Sequence, residues 1–306
     1  MRKLILVLTV AVLAGLATAA PAEQVSAVTC TPTGYFRDAT NLTAAQIGGD
    51  VTGALNATGC HIGVYYGPGA RGTVSHAEIF GASYFGVVAR GAEVDVLHSS
   101  IHDIGDSPSF TGAQHGVAIY FASVGNTGCD TTLTTTGRVV GNHIWRYQKN
   151  GITANCTGTA VEIRNNVVAG ADLSLITAAN SVQLAWGAFG TVENNLIGGN
   201  QWCGPGNWSA TAVLLYGADE GTVVRHNNIR GNSDVGIHGE GDGLLIDNNR
   251  VFDDGTDCNV NGYDYGVGNW GSNNVVTNNK VRGFDTSYDG VTGGKNKVIP
   301  GPNGNP

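Results

Sequence analysis

Eight times along this chain a buried-type hydrophobe is followed five positions later by a second. The pairs are Val74/Ile79, Val96/Ile101, Val139/Ile144, Ile163/Val168, Val192/Ile197, Val224/Ile229, Ile246/Val251 and Val276/Val281. Three positions after the first hydrophobe, the last six copies carry Asn142, Asn166, Asn195, Asn227, Asn249 and Asn279; the first two carry Ala77 and Ser99. Each copy then shows a second apolar stretch opened by a glycine or another small residue, at Gly86, Gly116, Gly151, Ser181, Ala212, Gly236, Gly266 and Gly290. Gly63 opens one more of the same form ahead of them. The closest copies are 22 residues apart. A fixed recurrence in that range is the mark of stacked structural repeats, and short apolar runs bounded by glycine and asparagine suit strands and bends rather than helices.

The period predicts an all-β chain, a single-stranded right-handed parallel β-helix of about eight to nine rungs. Like hydrophobes would stack inside at strand spacing, about 4.8 Å, and the asparagines would hydrogen-bond along the axis as a ladder. A β-propeller needs about 40–50 residues per blade, which the shortest spacing excludes. Four rungs carry long insertions at one bend, "HDIGDSPSFTGAQH", "AGADLSLITAAN", "GGNQWCGPGNWSAT" and "FDDGTDCNVNGYDY". They are expected to project from one side. A fifth long loop, within 121–138, lies at the other connection. Six cysteines allow about 15 pairings, and this register narrows them to Cys30–Cys60, Cys129–Cys156 and Cys203–Cys258. Residues 28–62 form an N-terminal cap, 63–298 the β-helix and 299–306 a C-terminal tail.

Composition adds a compartment. Residues 1–20 read as a secretory signal peptide, two basic residues followed by an apolar run and small residues, with cleavage at residue 20 or as far as 27. Cysteines in an exported chain are expected as disulfides, and the protein is placed outside the cell, as a monomer. The formal charge is −8, and loss of Arg2 and Lys3 makes it −10. That balance argues against nucleic acid or an anionic membrane as partner.

Side chains alternate along a strand, so the second strands present outward rows. One reads Tyr65, Val88, Ala118, Thr153, Gln183, Leu214, His238, Gly268, Thr292, and the next Arg90, Tyr120, Asn155, Ala185, Tyr216, Glu240, Trp270. Aromatic rings among polar groups suit a sugar, which has an apolar face and a hydroxyl edge. Tyr120, Tyr216, Trp270, Arg90 and Gln183 are therefore the candidate substrate-binding residues. Asp234, His238, Glu240 and Asp264 form the densest ionisable cluster. Paired carboxylates there could act as general acid and base on a glycosidic bond, or Asp234 and Asp264 could hold Ca²⁺ through oxygen ligands. Lys149, His115 or His238 could abstract a proton beside a uronate carboxylate.

With "NNxI/V" rungs and the segments "QHGVAIY" and "YQKNGITAN", residues 60–298 resemble the pectin-lyase-like superfamily, in particular secreted bacterial right-handed parallel β-helix repeat proteins. The resemblance implies a carbohydrate-active protein that cleaves an extracellular polysaccharide by elimination or hydrolysis. The alternative is a glycan-binding or cell-surface structural β-helix without catalysis. The R-x-P-x-x-R of pectate lyases and the NTD, GHG and RIK segments of polygalacturonases are not found in this sequence.

Overall fold

A computed structural model describes residues 28–255, 258 and 260–299; the expected signal peptide and the C-terminal tail beyond Ile299 lie outside them. The described chain is built of strands. Eleven form one sheet, of which nine, from Ile62–Tyr66 to Thr286–Asp289, run parallel in rung order. Seventeen short strands form a second sheet of two parallel ladders. This is the expected β-helix. Its cap joins the stack directly: Thr40–Ile47 pairs in parallel with Ile62–Tyr66, and Val51–Asn56 with Arg71–Phe80. Among the described strands one pair is antiparallel, Thr31–Arg37 with Thr40–Ile47.

Two hydrophobes five apart would point to opposite sides of a straight strand. The chain solves this with a bend between them. The residue just before each ladder position is left-handed: His76, His98, Gly141, Asn165, Asn194, His226, Asn248 and Asn278 have φ between 48° and 70°. Glycine and asparagine tolerate that conformation best. After the bend both hydrophobes face inward, and the stacks Val74 to Val276 and Ile79 to Val281 are buried in one continuous core. The third wall is Val64, Val87, Ile119, Ile152, Val182, Val213, Ile237 and Val267.

The two asparagines of an "NN" pair thus have different duties. The first, as at exposed Asn194, makes the bend. The second is buried and bonded up and down the axis. Asn195 Nδ2 donates to Ile163 O (3.0 Å) and Asn227 Oδ1 (3.0 Å), while Asn195 Oδ1 accepts from the backbone N and Nδ2 of Asn166, both at 2.9 Å. The ladder begins at Ser99, whose amide donates to Asn142 Oδ1, and ends at Asn296, whose Oδ1 accepts from Asn279.

Two registers differ from the expectation. In Val117–Ala122 it is Tyr120, not Ala118, that lies beside Val88 and Thr153. The small position of that rung is Ala118. A Cβ on Gly86 would lie 2.5 Å from Ala118 O, showing how closely these positions stack, while Gly116 is a turn residue at φ 88°. In the last rung Tyr288 takes the inward place beside Val267, so the stretch from Gly290, with Thr292, lies beyond the strand. The Tyr288 hydroxyl donates to Asn279 O and closes the end of the stack.

Disulfides join Cys30–Cys60, Cys129–Cys156 and Cys203–Cys258, the pairs that the rung register brings together. No helix among the described residues is long and apolar enough to cross a membrane.

The division of labour within "NN" is testable by chemical denaturation. Asn195→Ala strands the two Asn166 donors in the interior and should cost about 2–4 kcal/mol. Asn194→Gly keeps the left-handed bend and should stay within about 0.5 kcal/mol of wild type.

Candidate functional site

The outward face of the eleven-stranded sheet is not uniform. Its first row reads Tyr65, Val88, Tyr120, Thr153, Gln183, Leu214, His238, Gly268, Asp289. At the N-terminal end the hairpin 31–47 folds over it. Tyr35 packs on Tyr65 and Phe85 with ring centroids 6.3 and 6.5 Å apart, and a second apolar cluster buries Val88 and Tyr120. Arg90 lies over the Tyr35 ring and its Nε donates to Val124 O at 2.6 Å. In the middle, amides bond to one another: Asn150 Nδ2 to Gln183 Oε1 and Gln183 Nε2 to Asn155 Oδ1, each 3.0 Å. Tyr120, Arg90 and Gln183 therefore do not form an open floor. The cap and the amide network occupy them.

The open part begins at Trp186. The bend after this sheet requires left-handed backbone at Gly91, Cys156, Trp186 and Gly217, and Trp186 adopts φ 56° there while 54% exposed. A bulky side chain in that conformation is uncommon and costs about 1–2 kcal/mol. Its position on the surface means no core packing accounts for it. Trp186 also walls a concavity of about 480 Å³ lined by Tyr35, Arg37, Tyr120 and the Cys129–Cys156 bridge. Next along the axis come Tyr216 (45% exposed) and Glu240, and the Trp270 amide donates to Gly239 O (2.8 Å), setting Trp270 beside Glu240.

Glu240 Oε2 is 3.0 Å from His238 Nε2, with the glutamate side chain 44% exposed and the imidazole largely covered. His238 meets the Trp270 ring edge-to-face at 4.5 Å, and Trp270 Nε1 donates to Asp289 Oδ2 at 2.6 Å. Desolvation lowers the His238 pKa, and Glu240 opposes the shift. A neutral ring donating through Nε2 leaves a lone pair on Nδ1, which is buried without a hydrogen-bond partner. The group this dyad presents to solvent is the Glu240 carboxylate.

The other ionisable candidates serve the loops. Asp234 is 1% exposed, and its Oδ2 accepts from the amides of Trp202 (3.0 Å) and Ala210 (2.7 Å), holding the 198–210 insertion. Asp264 accepts from the Asp285 amide at 2.8 Å. Burial, opposed by amides of Gly255 and Ser233 and aided by Asp264 and Asp254, pushes the Asp253 carboxyl up to about 7. Among the described residues no group of three or more His, Cys, Asp or Glu is placed to hold a metal ion. His115 stacks on Tyr84 at 4.0 Å and its Nε2 lies 2.8 Å from Asp106. Lys149 donates to Ala178 O beneath the 169–179 insertion. The structure thus brings His238, Glu240, Tyr216 and Trp270 together and leaves Lys149, His115 and Asp234 elsewhere. Trp186 was missed; the "AWG" at the bend, where other rungs use glycine, was the available signal.

Desolvation lowers the Lys149 pKa from 10.5 to about 8. The unfolded chain then binds the extra proton between those values, so stability rises with pH from about 8 to 10.5 and is diminished below 8. Denaturation of wild type against Lys149→Met should show the difference between them shrinking over that window, with Lys149→Met the more stable at pH 7.

This protein is 14% identical to the chain in the crystal structure of Dettilon tailspike protein (gp208), with a TM-score of 0.38, covering 84% of this chain and 61% of that one. No curated protein matches it significantly. Residues 50–218, more than half of the sequence, match the family described as "Right handed beta helix region", and the chain belongs to that family.

Proposed function

We infer that this is an exported, monomeric protein that binds an extracellular polysaccharide along the strip Trp186–Tyr216–Glu240–Trp270. The observation that carries the reading is Trp186, a half-exposed ring held at a left-handed bend where a glycine would be less strained. Rung spacing sets Tyr216, Glu240 and Trp270 in one column with Trp186 at the bend beside it, so an extended chain would meet rings and a carboxylate in succession. Pyranose faces would lie on the rings and hydroxyls would reach Glu240. Three disulfides agree with an oxidising compartment.

A second reading, cleavage of the bound chain, rests on the His238–Glu240 pair. A carboxylate backed by a neutral imidazole in a glycan groove can act as a general acid or base. The partner groups expected for it, Asp234 and Asp264, are engaged by backbone amides, and binding is therefore the better supported function.

Affinity electrophoresis against a panel of neutral and acidic polysaccharides tests the first reading. Trp186→Gly and Tyr216→Ala should each weaken retention about tenfold. Trp186→Gly should remain within about 1 kcal/mol of wild-type stability, because relief of backbone strain offsets the lost ring contact. Retention unchanged in both variants would sink the assignment. Reducing ends or unsaturated uronates released by wild type, and abolished in Glu240→Gln, would establish cleavage.

A further inference from the structure

Two long insertions flank a rung that has none. Residues 105–116 precede the strand Val117–Ala122 and residues 169–179 precede Asn180–Ala185. Between them Tyr147 runs into Asn150 through Gln148 and Lys149 alone. The short connection leaves a slot one rung wide between the two loops. Gln148 forms its base, packed so closely that a Cβ on Gly105 or Gly116 would come within 2.6 Å of the Gln148 Cβ. The loops meet across the slot, since a Cβ on Gly112 would lie 3.3 Å from Ile176 O. The half-open cavity between them measures about 570 Å³.

Its walls are apolar. Phe110 stands on one side and Leu173, Leu175 and Ile176 on the other, the last three being 43%, 72% and 47% exposed. The charges at the rim cancel, because Arg146 Nε is 2.5 Å from Asp103 Oδ1. Gln148 is engaged by the 105–116 loop: its Oε1 accepts from Asp106 N and Thr111 N, and its Nε2 donates to Ala113 O. One buried polar group in the lining has no partner. Thr177, 5% exposed, lines the cavity with a buried hydroxyl that has no hydrogen-bond partner. An unmet hydroxyl in such a wall is costly, and an oxygen of a bound molecule would give it a partner.

We propose that this slot is a binding site for a small, neutral, mainly apolar molecule, aromatic or alicyclic, carrying one hydroxyl or carbonyl oxygen that pairs with Thr177. Size and lining match those of small-molecule pockets, about 300–1,000 Å³ with few polar groups. A sugar is disfavoured as occupant, since most of its hydroxyls would face Phe110, Leu173, Leu175 and Ile176. The site shares no residue with the aromatic strip and stands whether or not that strip binds glycan.

The test uses the full disulfide-bonded protein, with calorimetric titration of 2-naphthol and naphthalene as probes. Wild type should bind both saturably at one site per chain. Ile176→Asp, on an exposed loop position, should weaken both about tenfold or more, and Phe110→Ala, on the opposite wall, should weaken both in the same direction. Thr177→Val should weaken 2-naphthol about three- to tenfold and leave naphthalene unchanged. Trp186→Gly should alter neither. Absence of saturable binding, or equal affinity in wild type and Ile176→Asp, would overturn the proposal. So would self-association of the protein that Ile176→Asp abolishes while naphthol fails to bind, because the slot would then be covered by a second copy.

Discussion

A buried backbone amide must have a partner, and in this chain that requirement is met by one asparagine in each of the last six rungs and by Ser99 before them. The left-handed residue before it turns the strand so that hydrophobes five positions apart both face inward. The same turn exposes backbone groups that no strand neighbour can reach. The asparagine side chain bonds them: Asn227 Oδ1 accepts from the Asn195 amide at 3.0 Å and its Nδ2 donates to Val192 O at 2.8 Å, while Nδ2 also reaches Asn249 Oδ1 at 3.0 Å. Because each side chain bonds its neighbours above and below, no rung can slip without breaking two others. Register over the whole sheet depends on this column.

Locked register is what allows a surface to be read as a grid. Residues from rungs far apart in sequence become neighbours at about 4.8 Å, and Tyr216 and Glu240 lie side by side for that reason. The grid does not decide what lies on top of it. The hairpin at the N-terminus covers the apolar end of the same face, where Tyr35, Tyr65, Phe85 and Tyr120 form a cluster outside the main core. An aromatic residue on this face is thus either packing for the cap or a surface group, according to its rung.

The repeat was legible in the sequence because its physics is periodic: inward hydrophobes, one bend, one ladder amide. So were the three disulfides, which follow from register. Where small residues recur out of phase, legibility failed. In "GVAIYFA" both Gly116 and Ala118 could open the strand, and only the close approach of the Gly86 Cβ position to Ala118 O tells them apart. The candidate site was half legible. His238, Glu240, Tyr216 and Trp270 sit on strands or at their ends, where alternation fixes direction. Trp186 sits at a bend, and the loop-walled cavity depends on contacts such as Gly112 with Ile176 that no period encodes.

The acids show why an ionisable cluster in such a chain is a poor guide to chemistry. Insertions leaving a rung carry backbone amides without strand partners, and a carboxylate at the base of a loop accepts two of them at once. Asp234 does so for the 198–210 insertion, and Asp253 for Ser233 and Gly255. Sequence proximity gathers these acids near His238 because the loops begin and end there. The residue free of that duty is on the strand itself: Glu240 has its backbone in the ladder, its carboxylate on His238 and nearly half its side chain in solvent. In a solenoid with long insertions, an acid within a rung and away from loop bases is the stronger candidate for acting on a ligand.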